Sequence, residues 1–285
     1  MFVIAGVTGH VGSQAARELL AKGKQIKVIV RSADKGAEWA KRGAALAVGS
    51  LEDAAFLTGA LQGATGFFTL LPGNLTASDF YASQRQTADA VAAAVKASRV
   101  PHVVMLSSIG ADLEAGTGPI RGLHYLENAL LATGTKLTAI RAGYFQENLG
   151  QALGAARQAG IYPNFGAPVD FPMPMIATRD IGAQVARSLL EPPSKSEIID
   201  LVGPAYSVQQ IVDKLSAALG KKLQITTIPP EGWVPAMMQA GMPKHIAEVF
   251  AEMYAGFGSG KIRPVGDRVV PGHTVIDEVI KDLLK

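Results

Sequence analysis

Short apolar runs alternate with amphipathic helical patterns through the first half of the chain. The strand-like runs cover residues 2–5, 26–30, 44–48, 67–71, 102–106 and 136–140, and helical periodicity covers residues 11–20, 53–61, 78–96 and 123–132. Such alternation is typical of a parallel sheet with helices packed on both faces. We therefore predict an α/β fold with a doubly wound parallel sheet.

The pattern becomes less regular after Gly143. Four prolines between residues 163 and 174 break the chain into short pieces, a helix (179–190) and a strand (197–202) follow, and Ser207 is a favourable N-cap for a helix over 208–219. We predict a sheet domain over 1–150, to which elements around 176–206 return, and a smaller α-rich C-terminal lobe formed mainly by 151–285.

Three glycines follow the first strand at three-residue spacing, Gly6, Gly9 and Gly12, and a helix begins there. A diphosphate approaches the backbone closely only where no Cβ intervenes, and the N-terminus of a helix attracts the anion. Because a glycine-rich chain produces this spacing by chance fairly often, the surrounding strand and helix carry the interpretation. They predict a dinucleotide site, with Thr8, His10 and Val11 in the same phosphate-binding turn.

The second strand ends at Arg31, and the spacing from the last glycine is 31 − 12 = 19 residues. An acidic residue at this place binds the ribose hydroxyls of NAD, whereas an arginine suits the 2′-phosphate of NADP. Arg31, with Lys35 close behind, thus predicts NADP(H) as cofactor and weaker binding of NADH. The alternative is that Arg31 is a solvated charge at the end of a strand.

Composition and charge exclude several classes of partner and cofactor. The 285 residues carry a formal net charge of +3 without a run of Lys or Arg, so neither nucleic acid nor a membrane surface is predicted as a partner. Absence of cysteine excludes disulfides and thiolate chemistry, and no His/Asp/Glu group has metal-ligand spacing, so no metal is expected. We expect a cytoplasmic monomer or small homo-oligomer.

Several segments together resemble a known family. They are VTGHVGS, VIVRSADKG, FFTLLPG, VVMLSSIGA, GTGPIRGLHYLENAL and LTAIRAGYFQENL, with weaker matches in MIATRDIGAQVA and KIRPVGDRVVPGHT. In this order they are similar to the NmrA-like group of atypical short-chain dehydrogenases/reductases. The resemblance implies a Rossmann domain that binds NAD(P), with a cleft toward the small lobe for substrate. Members include quinone oxidoreductases, flavin-free azoreductases, triphenylmethane-dye reductases and redox-sensing regulators that bind the dinucleotide without turnover.

The resemblance also implies further cofactor contacts. They are Leu70, Leu71 and Pro72 beneath the nicotinamide ribose, Ser107 at the fifth strand, and Arg141, Ala142, Gly143 and Tyr144 at the sixth. Ser50 stands where relatives often have an aspartate that contacts adenine, which puts that contact in doubt.

Three residues are catalytic candidates by resemblance. Tyr125 lies where short-chain reductases have the tyrosine of Tyr-x-x-x-Lys, but the lysine position is Ala129. Ser107 is a candidate substrate-binding hydroxyl, or one that only caps a turn. His124 is a candidate proton donor, or one half of a plain surface pair with Glu127. Tyr125 is equally explained as a half-buried aromatic on an amphipathic helix.

The missing lysine argues against reactions that need a tuned acid, such as alcohol oxidation or epimerisation. Quinones and azo groups accept hydride readily, so positioning against the nicotinamide suffices. A tail of aromatic and methionine residues (Trp233 to Phe257) could line a pocket for flat substrates, or simply pack two helices together. The sequence predicts an NADPH-dependent reductase of conjugated acceptors that uses no flavin; the alternative is a non-catalytic NADP(H) sensor.

Overall fold

A computed structural model describes all 285 residues of the chain. Its strands are β1 (Phe2–Ile4), β2 (Ile26–Val30), β3 (Ala45–Val48), β4 (Gly66–Thr69), β5 (His102–Ser108), β6 (Lys136–Ala142), β7 (Tyr144–Phe145), β8 (Ile161–Asn164), β9 (Met173–Ile176), β10 (Glu197–Val202), β11 (Ala205–Tyr206), β12 (Gln224–Thr227) and β13 (Arg268–Pro271). Its helices are α1 (His10–Ala21), α2 (Ala33–Lys41), α3 (Ala54–Leu61), α4 (Phe80–Ser98), α5 (Ile120–Leu131), α6 (Leu153–Ala159), α7 (Thr178–Leu190), α8 (Val208–Leu219), α9 (Pro230–Gln239), α10 (Lys244–Gly258) and α11 (Ile276–Leu283). A 3₁₀ segment, Gln146–Ala152, precedes α6.

Eight strands form one sheet in the order β3-β2-β1-β4-β5-β6-β10-β13. All seven pairings in this sheet are parallel. The chain runs outward from β1 to β3 and then crosses to β4, so the strand order reverses between β1 and β4. Ligands of open α/β sheets bind at the carboxyl ends of the strands beside such a reversal. The predicted Rossmann-type, doubly wound fold is confirmed.

Helices cover both faces of this sheet. On one face α1 and α7 bury Leu19 and Val185 against Ile4 and Phe68, and on the other α3, α4 and α5 bury Leu57, Val91 and Leu126 against the alternate strand residues. Strands buried on both faces are apolar nearly throughout. This is why the sequence shows continuous hydrophobic runs at β1, β2 and β4.

The second half of the chain builds a smaller lobe and then returns. Strands β8 and β12 pair with each other, and α8 packs its buried face with α11 in a separate core. A side-chain oxygen of Ser207 caps α8 and Gln210 completes a capping box, as the sequence predicts for its start. The chain then re-enters the main sheet as its edge strand β13. The domain boundary at residue 150 stays a prediction.

Some elements differ from the sequence prediction. Helix α2 was not predicted, because it buries only Gly36 and Trp39 and so has a short apolar stripe. Strand β13 was not predicted either, since three of its four residues are exposed at the sheet edge. Strand β5 continues through Ser107 and Ser108, which lie within it and not beyond it. No helix is both long enough and apolar enough to cross a membrane.

Candidate active site

The glycine turn joins β1 to α1 in a form that only glycine permits. Gly6 has φ +67°, and Gly9 N–H donates to Gly6 O at 3.0 Å. A Cβ on Gly12 would lie 2.5 Å from Gly6 O and 2.6 Å from Ala5 O, so the first turn of α1 rests directly on the end of β1. The result is a bare backbone surface at the carboxyl end of a central strand.

The N-terminus of α1 opens onto this surface. Gly9 is the N-cap residue; it offers no side-chain cap, and the first turn contains no acidic residue. The first N–H groups of a helix have no partner within the helix and carry a partial positive charge. The side chain of Val11 is anchored in the core, whereas Thr8 and His10 are exposed beside the turn. This geometry fits a diphosphate.

Arg31 follows β2, the strand next to β1, at the same edge of the sheet. Its side chain is exposed and takes part in none of the ion pairs of the structure. Ser32 is the N-cap of α2 without a side-chain cap bond, and Lys35 is exposed in the first turn of that helix. Arg31, Lys35 and the Ser32 hydroxyl therefore lie at a helix N-terminus together with the carboxylate of Asp34 in its first turn. Two cations against one carboxylate leave the place positively charged, which suits a phosphate monoester.

The segments after β3 and β4 lie along the same edge. Ser50 accepts a hydrogen bond from Glu52 N–H at 3.2 Å and so closes a turn after β3. Leu70 packs into the core cluster on the α1 face and Leu71 into the cluster on the α4 face, while Pro72 is half-buried. Residues 70–72 thus leave the sheet as a fixed, apolar ledge beside the glycine turn.

A buried charged network lies at the ends of β5 and β6. Glu127 of α5 accepts from Arg141 Nε at 3.0 Å, from Arg141 Nη2 at 2.6 Å and from Ser107 Oγ at 2.5 Å. Asp112 approaches the guanidinium at 3.7 Å from a less buried position. Burial alone lowers the pKa of Arg141, but the bonds to Glu127 and the charges of Glu127, Asp112 and Asp200 outweigh it and raise that pKa. The network joins the ends of β5 and β6 to α5, and we call these three residues, Ser107, Glu127 and Arg141, the floor of the site.

Two of the catalytic candidates, Ser107 and His124, have defined partners in the structure. The hydroxyl proton of Ser107 is directed to Glu127, and the serine is buried. His124 Nδ1 lies 2.8 Å from Ala111 O, and its Nε2 lies 3.1 Å from the Asn128 side-chain amide. Because Glu127 is turned inward to Arg141, the alternative of a His124–Glu127 surface pair is wrong. A carbonyl partner fixes the proton of His124 on Nδ1 in the neutral ring.

Tyr125 lies apart from the other two candidates. Its hydroxyl donates to Asp89 of α4 at 2.7 Å, and the Arg85 guanidinium lies 5.5 Å from the centre of its ring. The hydrogen bond to Asp89 raises the pKa of Tyr125. Tyr125 is exposed between α4 and α5, which separates it from the buried network at the ends of β5 and β6. Its catalytic role stays a prediction.

Beyond β6, an aromatic residue of β7 contacts helix α10. Gly143 N–H donates to Leu201 O at 3.0 Å, which ties the end of β6 to β10, and Tyr144 then meets Phe257 of α10 edge to face at 6.2 Å. In the tail, Trp233 and Met237 are buried in a small core with Ala247, so part of this stripe is helix packing.

Sequence reasoning missed two groups here. Glu127 was noticed only as a neighbour of His124, although a lone acid on the inner face of an amphipathic helix is itself a signal of a buried pair. Tyr162 of β8, which packs against the core of the small lobe, stands among prolines with no periodic signal. Within the structure no three His, Asp or Glu side chains come together as metal ligands would.

The order of the sheet defines a Rossmann-type α/β protein, and the bare glycine turn, the uncapped helix and the free arginine after β2 fit a dinucleotide. Comparisons with known proteins specify the family. A model of the NmrA-like family matches residues 1–281, and the chain belongs to this family.

Relatives match along most of the chain. The NAD(P)H azoreductase of Xenophilus azovorans is 30% identical over 263 residues, which cover 90% of this chain and 86% of the relative. Quinone oxidoreductase 2 of Escherichia coli is 27% identical over 267 residues, covering 91% of this chain and 89% of the relative. Both are named as oxidoreductases, which confirms the predicted class of enzyme.

Solved structures show the same fold. An NADPH-dependent quinone oxidoreductase from Escherichia coli, complexed with NADPH, superposes with a TM-score of 0.82 at 23% identity, with all of both chains covered. The Citrobacter sp. triphenylmethane reductase complexed with NADP(H) gives a TM-score of 0.84 at 20% identity, covering 99% of this chain and 100% of that one.

Proposed function

We propose that this protein is an NADPH-dependent reductase of conjugated aromatic acceptors such as quinones and azo compounds, acting by direct hydride transfer without flavin. The observation that carries the proposal is the unpaired Arg31 beside the bare glycine turn, at the strand reversal of a sheet whose relatives are named NAD(P)H oxidoreductases. When bound, NADPH supplies a hydride from its nicotinamide ring.

The residues of the chain bind and orient the two reactants. The N–H groups at the start of α1 receive the diphosphate, and Arg31 with Lys35 receives the 2′-phosphate. The ledge of Leu70, Leu71 and Pro72 limits where the nicotinamide end can lie. Arg141, held by Glu127, keeps the ends of β5 and β6 rigid, so that the substrate side keeps its shape.

Proton supply is the step for which this chain lacks a conventional residue. Tyr125 has no lysine partner at position 129, and its hydroxyl is committed to Asp89. A conjugated acceptor does not need an acid to accept hydride, since the electron pair is delocalised as it arrives. The proton can then come from water at the open edge, and the acceptors that suit the site are those that are reduced easily.

The proposal is tested by mixing purified protein with NADPH and a panel of quinones and azo dyes while the NADPH absorbance is followed. Turnover that depends on both protein and acceptor is expected. Saturable NADPH binding with no oxidation by any acceptor would refute the reductase and favour the NADP(H) sensor. Absence of NADPH binding would overturn both.

A further inference from the structure

The segment between β5 and α5 begins at the carboxyl end of β5, and its two halves are held by different parts of the molecule. The first half is tied to α5 and β6, since His124 Nδ1 lies 2.8 Å from Ala111 O and Asp112 lies 3.7 Å from the Arg141 guanidinium. We call the second half, residues 113–118, the flap. Its contacts with α10 are described next.

Helix α10 holds the flap through one carboxylate. Glu252 Oε1 accepts from Gly116 N–H at 2.8 Å, and within residues 114–118 no other backbone N–H has a partner in the protein. The second oxygen of Glu252 accepts from the Tyr81 hydroxyl, at the start of α4, at 3.0 Å. Tyr81 is itself fixed, since the Arg121 guanidinium carbon lies 4.2 Å from the centre of its ring. Glu252 therefore joins α10, α4 and the flap.

The flap also lies directly on the backbone of α10. A Cβ on Gly118 would collide with Val249 O, and a Cβ on Gly256 would collide with Gly116 O, so both contacts require glycine. Contacts this close exist only while the flap rests on the helix. The structure therefore shows the flap in a closed position.

The closed position is opposed by the burial of Thr117. This residue lies between the two flap glycines, its side chain is fully buried, and its hydroxyl has no hydrogen-bond partner. A hydroxyl that has lost its water without a replacement destabilises the state in which it is buried. The Glu252 bond and the packing on α10 thus hold the flap closed against a penalty that an open flap would not have.

We propose that the flap opens and closes beside the ends of β5 and β6, and that Glu252 is the positioning residue that keeps it closed over a bound acceptor. The inference rests on the proposed function, because it assigns the flap to the acceptor side of the site. Ligands of such sheets lie beyond the carboxyl ends of the strands, where the segment carrying the flap begins. A loop that closes there shields the reactants from water and holds the acceptor in place.

Amide exchange of isotope-labelled protein, followed by NMR without cofactor or acceptor, reports flap opening at Gly116 N–H itself. Glu252→Ala should speed exchange at this amide about tenfold, because a hydrogen bond to a charged group is lost. Glu252→Gln keeps a carbonyl acceptor and should restore most of the protection. Thr117→Val keeps the shape of the side chain but removes the unpaired hydroxyl, so it should slow exchange about fivefold. Exchange at Val104, in the middle of β5, should stay the same in all three variants.

Glu248→Ala is the matched control. Glu248 lies one turn earlier on α10, its side chain is 54% exposed, and it pairs only with Lys244, at 3.6 Å. This variant should leave exchange at Gly116 at the wild-type rate. A wild-type rate in Glu252→Ala, or a rate in Thr117→Val that is not below that of wild type, would overturn the inference.

Kinetics test the link to acceptor binding. With saturating NADPH, Glu252→Ala should raise the Michaelis constant for a quinone about fivefold, because less of the protein is closed. The calorimetric affinity for NADPH should stay unchanged, since the glycine turn is not altered. Faster exchange at Gly116 with an unchanged Michaelis constant would overturn the role of Glu252 toward the acceptor. If the exchange results are as expected but wild type oxidises no NADPH with any acceptor, the proposed function fails and the control of the flap by Glu252 stands.

Discussion

The buried pair of Glu127 and Arg141 allows a quantitative test of how the floor of the site is held. Their side chains are only 5% and 6% exposed, and Glu127→Gln keeps the shape of the side chain while removing its charge. The negative charges left near the Arg141 guanidinium would then be Asp112, at 3.7 Å, and the more distant Asp200.

Removing one partner of a buried ion pair costs about 3–5 kcal/mol, because the remaining charge is left unpaired. Since Asp112 and Asp200 compensate part of the charge of Arg141, we expect the lower end, about 3 kcal/mol. With a urea m-value of about 3 kcal/mol per molar, the unfolding midpoint should fall by about 1 M. Arg141→Met in the Glu127→Gln background should recover part of the loss, since it removes the unpaired charge.

Urea unfolding followed by far-UV circular dichroism measures both variants. Glu197→Gln is the control, because its partner Arg268 is 49% exposed and such pairs contribute at most about 1 kcal/mol. A midpoint for Glu127→Gln that falls no further than that of Glu197→Gln would refute the view that the network is a buried, charge-balanced unit.

Three other variants test separate parts of the account. Arg31→Ala should raise the Michaelis constant for NADPH about tenfold and leave that for NADH unchanged, with Arg42→Ala as the control; equal increases for both cofactors would contradict the assignment of the 2′-phosphate. Gly12→Ala should abolish NADPH binding by calorimetry, because its Cβ would meet two carbonyl oxygens, whereas Gly59→Ala, with open space around its Cβ, should bind normally. Burial lowers the pKa of His102 from 6.5 to about 4, so the unfolded chain takes up a proton below pH 6.5 that the folded chain refuses until pH 4. The free energy of unfolding should therefore fall by up to about 3 kcal/mol as the pH is lowered from 6.5 to 4. His102→Gln should make the urea midpoint less dependent on pH in this range, and an unchanged dependence would contradict this explanation.

The sheet could be predicted from the sequence because its strands are buried on both faces and therefore appear as apolar runs. The glycine turn could be predicted because its chemistry is local, within residues 6–12. Strand β13 could not, since its register against β10 depends on a return of the chain from the small lobe over about seventy residues.

The floor of the site and the aromatic contacts beyond β6 were harder to predict, because their contacts also join distant parts of the chain. Glu127 lies on the inner face of an amphipathic helix, but the sequence does not show which residue of the sheet pairs with it, and Arg141 on β6 is that partner. The aromatic pairs Tyr144–Phe257, Phe165–Tyr254 and Trp233–Tyr254 join β7, the residue after β8, and α9 to α10, and such long-range contacts leave no repeating pattern in the sequence.

The central claim is that the glycine turn and Arg31 together bind NADPH. Its most direct test is a calorimetric titration of NADPH and, separately, NADH into the purified protein. The account predicts saturable binding of NADPH with a stoichiometry of about one per chain, and weaker binding of NADH. No heat of binding with NADPH at millimolar concentration, or tighter binding of NADH, would contradict it.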